Sequence, residues 1–403
     1  MRCWNMTAAT DDATRGAALT RLPVIVAGAG PAGAAAAIRL RSHGLPVTLC
    51  DASSGDDPPI GERLTARGAR ALQRLGVWDA FLLDQHPSSP GIVSVWGSSI
   101  PHVADALQDP FGAAWHLDRG RFDRMLRLAA RSAGALVLRD TRVVSAQRTA
   151  HNVWTVATKT REQITVRQAT VVVDARGRQA RDLLGCRIPA SSDRLVATAF
   201  VFPSPLNEPH CEWTLVEACA DGWWYSAPLP NARSSVVFFT DADLHTHRND
   251  VPQLANDTGA SLTMDRIPRT QQPMAVVRMP AWSDHRHPSG PVTCVRVGDA
   301  AVAYDPLSGA GLCRALETAI DAAEAIAAHH RGDVDALARY GARLNEAFSS
   351  HLASRARFYA VEQRWPQAPF WRRRKETSLV LERGQKKRGS IRRAAVISPP
   401  DRR

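Results

Sequence analysis

Between Leu22 and Asp51 the order of residue types leaves few folds open. Leu22-Pro-Val-Ile-Val-Ala27 is short, β-branched and uninterrupted, the pattern of a strand buried on both faces of a parallel sheet. Gly28-Ala-Gly-Pro-Ala-Gly33 follows at once, an alanine-rich helix runs to about Arg41, and Val47-Thr-Leu-Cys-Asp51 reads as a second strand ending on an acid. This is a βαβ unit of about 30 residues. Gly28 permits the tight turn, and Gly30 lets the backbone approach a diphosphate. Gly33, with Pro31 and Ala32 before it and Ala34 to Ala37 behind it, lets the helix pack close to the strand. The free N–H groups and positive end of the helix then favour the diphosphate. Asp51, beside Ala52, can accept hydrogen bonds from an adenosine ribose. The expectation is a dinucleotide site.

Which dinucleotide is decided far downstream, at Val297-Gly-Asp-Ala-Ala301 and Asp305-Pro-Leu-Ser-Gly-Ala-Gly-Leu312. A strand ends at Gly298-Asp299, a turn through Pro306, Gly309 and Ala310 follows, and a helix starts near Gly311-Leu312. Such a helix start favours negative charge on a reduced flavin ring, and Asp299 can bind a ribityl hydroxyl. The expected cofactor is FAD. No second GxGxxG unit exists, so electrons are expected from NAD(P)H reaching the flavin transiently or from a separate flavin reductase.

Elsewhere the pattern changes. Thr65 to Leu83 and Asp118 to Ala133 have helical spacing, and Val171-Val-Val-Asp-Ala175 and Val292 to Val297 read as buried strands. Val196 to Phe202, Trp223 to Ala227 and Ser235 to Phe239 read as a separate antiparallel sheet. The expected layout is a flexible leader over 1–20 and a discontinuous FAD-binding domain over 21–85, 110–185 and 275–345. A substrate domain takes 86–109 and 186–274, and a C-terminal helix with a basic tail takes 346–403. Trp223 and Tyr225 should share one sheet face and Trp224 the other. With Pro306, these three are candidates for an aromatic substrate pocket or for plain core.

Composition narrows the partners. The formal net charge is +12, but residues 364–403 hold 13 Lys or Arg against three acids, a net of +10, which leaves +2 for the first 363. A near-neutral body argues against a nucleic-acid groove, and the excess belongs to a tail that could dock an acidic partner. Seven scattered cysteines, none in a CxxC pair, fit a reducing cytoplasm better than a disulfide scaffold. His245-x-His247 and His285-x-His287 lack partners at zinc spacing, so no metal is expected. No apolar run is long enough to cross a bilayer.

The N-terminal fingerprint, Asp174-Ala-Arg-Gly-Arg178 and the Gly298-Asp299 motif together resemble the flavoprotein monooxygenase and flavin-dependent halogenase superfamily over most of residues 22–345. The resemblance implies a para-hydroxybenzoate hydroxylase-like α/β fold: a Rossmann-type FAD-binding domain with an inserted antiparallel-sheet substrate domain. It also implies FAD contacts from Arg119, which opens the helix after Trp115-His-Leu-Asp118, from Arg63 within Gly61-Glu-Arg-Leu64, and from Val143. The implied chemistry is hydroxylation of an aromatic ring with O2 through a flavin C4a-hydroperoxide. Gly222-Trp-Trp-Tyr-Ser-Ala-Pro-Leu229 and Arg364-Trp-Pro-Gln-Ala-Pro-Phe-Trp-Arg372 resemble a subgroup that hydroxylates protein-bound tryptophan during tryptophylquinone maturation. Tryptophan or an indole, free or within a protein or peptide, is therefore the favoured substrate. Halogenation is disfavoured because the family's tunnel lysine has no counterpart before Lys159. A flavoprotein reductase or desaturase and a non-catalytic flavin-binding protein remain the alternatives.

Overall fold

The computed structural model describes residues 22–52, 62–106, 112–178, 183, 193–207, 211–245, 250–268, 271–286 and 293–376. The leader 1–20, Gly61, His247, His287 and the tail 377–403 lie outside them.

Val24–Ala27, Val47–Cys50 and Val171–Asp174 are buried along their whole length, as apolar runs without alternation must be. With Cys294–Arg296 and Leu136–Leu138 they form a five-stranded parallel sheet. Its spatial order is Cys294–Arg296, Val171–Asp174, Val24–Ala27, Val47–Cys50, Leu136–Leu138. Strand alternation then sorts the two faces. Val24 and Val26 pack under the helices Pro31–Ser42 and Gly311–His330. Ile25 and Ala27 turn the other way and meet Val143, Trp154 and Val156. Those residues belong to a three-stranded antiparallel sheet, Thr141–Arg148, Trp154–Thr160 and Gln163–Ala169. Trp154 can be fully buried there because its indole N–H donates to Thr293 Oγ1 at 3.0 Å.

The second unit is a seven-stranded sheet, in the order Ala275–Pro280, Leu195–Phe202, Arg233–Asp241, Gly222–Leu229, Thr214–Cys219, Gly91–Val95, His102–Asp105. Neighbours are antiparallel except Thr214–Cys219 and Gly91–Val95, which run parallel. Both faces of its centre are covered. Trp224 and Phe238 pack with Val251, Leu254 and Ile267 on one side. Trp223 and Phe239 pack with Tyr359, Phe370 and Trp371 on the other. This double burial explains why Ser235 to Phe239 shows no polar alternation.

Three details differ from the sequence reading. The helical pattern over 65–83 is two helices, Ala66–Arg74 and Trp78–Leu83, because Gly76 turns the chain at φ +70°. Ala275–Pro280, within the span read as FAD-binding, pairs with Leu195–Phe202 in the second sheet. The last helix begins earlier, at Ala336, and runs to Val361. No helix among the described residues is long and apolar enough to cross a membrane.

Candidate functional site

The C-terminal ends of the parallel strands bring four sequence-distant segments to one crevice, the place where open α/β sheets bind ligands. Gly28 N donates to Cys50 O at 3.0 Å, Ala175 N to Ala27 O at 2.8 Å, and Val297 N to Asp174 O at 3.0 Å. The fingerprint turn, the Asp174 segment and the Gly298 segment are thus laced together just past the sheet edge.

The three fingerprint glycines occupy different environments. Gly28 has φ +102°, and a Cβ there would lie 2.6 Å from Ala175 O. A Cβ on Gly33 would lie 1.8 Å from Gly28 O, so helix and turn touch backbone to backbone. Among the described residues a Cβ on Gly30 would meet no atom within 4 Å; it would project into the open cradle above the helix start. No side chain caps that start, and none caps the start of Gly311–His330. The orphan N–H groups of both helices are therefore available to an anionic ligand. The two starts are close because Gly298, at φ +58°, sits where a Cβ would be 2.8 Å from Ala32 Cβ, and its N–H donates to Thr318 Oγ1 at 2.9 Å.

Around this cradle lie the acids. Asp51 is 5% exposed at the end of its strand, with Arg127 Nε 3.5 Å from Oδ2, and Ala52 beside it is exposed. Asp299 faces Arg178, whose Nη2 lies 3.1 Å from Oδ2 and also donates to Tyr304 O at 3.0 Å, while Nη1 donates to Pro280 O at 3.3 Å. Arg176 pairs with Asp174 at 2.9 Å and 3.0 Å. Pro306 opens a short 3₁₀ turn, Gly309 takes φ +57°, Ala310 precedes the helix, and Leu312 is buried beneath it. Burial pushes the Cys313 thiol up to about 12, which leaves it inert at neutral pH.

The remaining predicted residues spread around these. Arg63, on the strand Glu62–Leu64, donates from Nε to Ser89 Oγ at 3.1 Å. Arg119, first residue of the helix Arg119–Ser132, makes a two-pronged pair with Asp123 at 3.1 Å and 3.0 Å. Val143 is buried beside Cys50. Trp223 is 1% exposed, stacked on Phe239 with centroids 3.8 Å apart, and its indole donates to Tyr359 OH at 3.2 Å. Trp224 is fully buried, stacked on Phe238, and donates to Thr258 Oγ1 at 3.0 Å. Tyr225 is half-buried on the Trp223 face. Sequence reasoning gave no role to Arg127 or Thr318. Arg127 lies eight residues after Arg119, two helical turns along one face, and that spacing could have singled it out.

The matching family model is that of the FAD binding domain, and it covers residues 21–352. The chain belongs to this family. It is an FAD-dependent oxidoreductase. It is 30% identical over 372 residues to LodB of Marinomonas mediterranea, assigned as an FAD-dependent oxidoreductase, with 88% of this chain and 97% of that protein covered. The peptidyl tryptophan dihydroxylase QhpG, essential for tryptophylquinone cofactor biogenesis, is 26% identical, with TM-score 0.69 over 88% of this chain and 78% of QhpG. The flavin-dependent halogenase CmlS shares the fold at 24% identity and TM-score 0.74, over 91% of this chain and 70% of its own. The uncapped helix starts and the glycine cradle fit FAD: Gly28, Gly30 and Gly33 would hold the diphosphate, Asp51 the ribose, Asp299 the ribityl chain, and Gly309 to Leu312 the flavin ring. Among the described residues no three His, Cys, Asp or Glu side chains gather as a metal site.

Two histidines, one buried (His116) and one half-buried (His351), give the fold a pH dependence. Burial lowers His351 to about 4, with Arg355 adding to it, and burial lowers His116 to about 4 against its bond to Glu212 O. Both rings bind a proton less readily folded than unfolded. Their contribution is complete above the free value of 6.5 and is lost as the pH falls towards 4. Thermal melts should therefore show Tm falling over that window. His351→Gln, which can place an amide oxygen where Nε2 accepts from Asp305 N, should flatten part of the fall; an unchanged slope would remove His351 from the cause.

Proposed function

We propose that this chain is an FAD-dependent monooxygenase that hydroxylates an aromatic ring, with tryptophan or an indole, free or within a peptide or protein, as the favoured substrate. The observation that carries the reading is one apolar cluster, with Trp223 of the second sheet at its core, against which Leu307, from the loop before the helix Gly311–His330, packs together with Trp96 and Tyr225. The loop assigned to the flavin ring and an aromatic sheet face thus border one apolar cluster. Reduced FAD and O2 would supply the oxygen transfer. The chain's own part is to bind, orient and exclude water. Half-buried Tyr225 and Trp96 offer ring surfaces at the edge of the cluster. The buried Trp223 and Phe239 behind them keep water from the ring, and this is the protein's main service to a flavin oxidation. The likeness to QhpG supports a peptide-bound tryptophan.

Docking of an acidic partner through the basic C-terminal segment belongs to the same proposal, narrowed by internal pairing. Arg364 pairs with Glu362, Arg373 with Asp241 and Asp243, and Arg374 with Asp241. Arg372 and Lys375 are both exposed, and they, with residues after 376, would make the contact.

The test is product mass. Purified protein reconstituted with FAD is supplied with NAD(P)H, or a flavin reductase, O2 and tryptophan, indole or a tryptophan-containing peptide. The expected product gains one or more oxygen atoms. Gain of halogen when halide is supplied, or of hydrogen without oxygen, would overturn the hydroxylase reading in favour of halogenation or reduction. Tyr225→Ala should raise KM for the aromatic substrate several-fold, by roughly the 0.5–1.5 kcal/mol of a lost ring contact, and leave FAD affinity unchanged.

A further inference from the structure

Asp305 immediately precedes the loop Pro306–Leu312, and it is 1% exposed. Its Oδ1 accepts from Leu307 N at 3.0 Å; its Oδ2 accepts from Tyr359 OH at 3.1 Å and lies 2.9 Å from Arg355 Nε. Asp305 N donates to His351 Nε2 at 3.1 Å. Arg355 reaches on to Asp193 Oδ2 at 2.8 Å, and that carboxylate also accepts from Ser283 N at 3.0 Å. Tyr359 OH in turn accepts from the Trp223 indole at 3.2 Å. His351, Arg355 and Tyr359 stand four residues apart on the helix Ala336–Val361, one stripe aimed at a single residue: Arg355 and Tyr359 at the Asp305 carboxylate, His351 at its backbone N–H.

Fold maintenance alone is a poor account of this chemistry. Two carboxylates and a guanidinium lose hydration here, and apolar side chains of similar size commonly stabilise a core as well or better. What an ion-paired, hydrogen-bonded cluster supplies and apolar packing does not is a fixed direction for each group. The group fixed here is the residue that caps Leu307 and launches the loop.

We propose that His351, Arg355 and Tyr359 are positioning residues for the flavin loop: they hold Asp305, and through it the backbone of Pro306–Leu312, in the geometry that receives the flavin ring. The Trp223–Tyr359 bond extends the same linkage to the aromatic sheet, so the two sides of the site are set by one helix. The inference rests on the reading of 306–312 as the flavin-ring loop.

The test compares Tyr359→Phe, Arg355→Met, Arg355→Lys and Gly311→Asp in the full-length holoprotein, reading FAD affinity, the visible absorption bands of bound flavin, and Tm. Gly311→Asp is the benchmark: a side chain there meets no atom, and its carboxylate would oppose an anionic ring at the helix start. Tyr359→Phe keeps the buried ring and removes one hydroxyl. It is expected to weaken FAD about three- to tenfold and to shift the flavin bands. Arg355→Met should do more, and Arg355→Lys should recover part of the loss. If Arg355→Met does not fold, Tyr359→Phe still decides the matter. Should Gly311→Asp alter affinity and spectrum while Tyr359→Phe and Arg355→Lys lower only Tm, the positioning role is overturned and the loop reading stands. If Gly311→Asp also leaves the flavin unchanged, the loop reading fails and the positioning role falls with it.

Discussion

Gly30→Ala is expected to leave the Tm of the FAD-free protein unchanged and to weaken FAD binding at least about tenfold, a loss of about 1.4 kcal/mol. The position has φ −69° and ψ −175°, which alanine adopts freely, and its new methyl group touches no protein atom. Among the described residues nothing stands in the way of that methyl, so what it obstructs is a ligand entering the cradle. Gly33→Ala has the opposite profile. Its methyl would lie 1.8 Å from a backbone carbonyl oxygen, and no side-chain rotation relieves that, so the fingerprint helix must leave the strand. Poorly folded, FAD-free protein is the expected outcome for Gly33→Ala. Melting curves and FAD titration of the two variants separate fold from ligand. Wild-type FAD affinity in Gly30→Ala would mean that the diphosphate does not lie where the cradle places it.

Arg374→Ala is the second large effect. Arg374 is 7% exposed, its Nη2 is 2.9 Å from Asp241 Oδ1, and its guanidinium lies over the Phe370 ring, 3.4 Å from the centroid. Truncation removes a buried counter-charge and a ring contact together. Asp241, 2% exposed, then keeps only Arg373, which is more accessible to water. Breaking a buried pair from one side costs about 3–5 kcal/mol, whereas replacing both partners with apolar groups often costs little. Urea titrations should therefore show Arg374→Ala strongly destabilised and Arg374→Met combined with Asp241→Leu largely recovered. A loss below about 1 kcal/mol in the single variant would show that the pair behaves as if exposed to solvent.

The legible part of the fold was the part written in local pattern. Val24–Ala27, the glycine turn and Gly298 each carry their meaning within a dozen residues, and the structure brings them together at the carboxyl end of the parallel sheet. Trp223 and Trp224 fall on opposite faces, as strand geometry requires. What could not be read were partners chosen at long range. Nothing near Gly91 announces a parallel pairing with Thr214–Cys219, and nothing near Arg373 announces Asp241 and Asp243. Within Arg372 to Lys375, sequence shows the sign of each residue and not the carboxylates that lie opposite Arg373 and Arg374. The stripe of His351, Arg355 and Tyr359 was hidden for a related reason: its regular spacing reads as an ordinary helix face until Asp305 is known to lie beneath it.

The packing of Phe370 and Trp371 onto the Trp223 face also fixes an order of events during synthesis. The strand Gly222–Leu229 is complete about 140 residues before Phe370 and Trp371, which cover its Trp223 face, are made. Until then a broad aromatic surface stands open on a sheet with high β-propensity, the sort of surface that recruits chaperones or self-associates. Yield during expression should consequently be more sensitive to changes at 365–374 than the final stability of the folded enzyme would suggest.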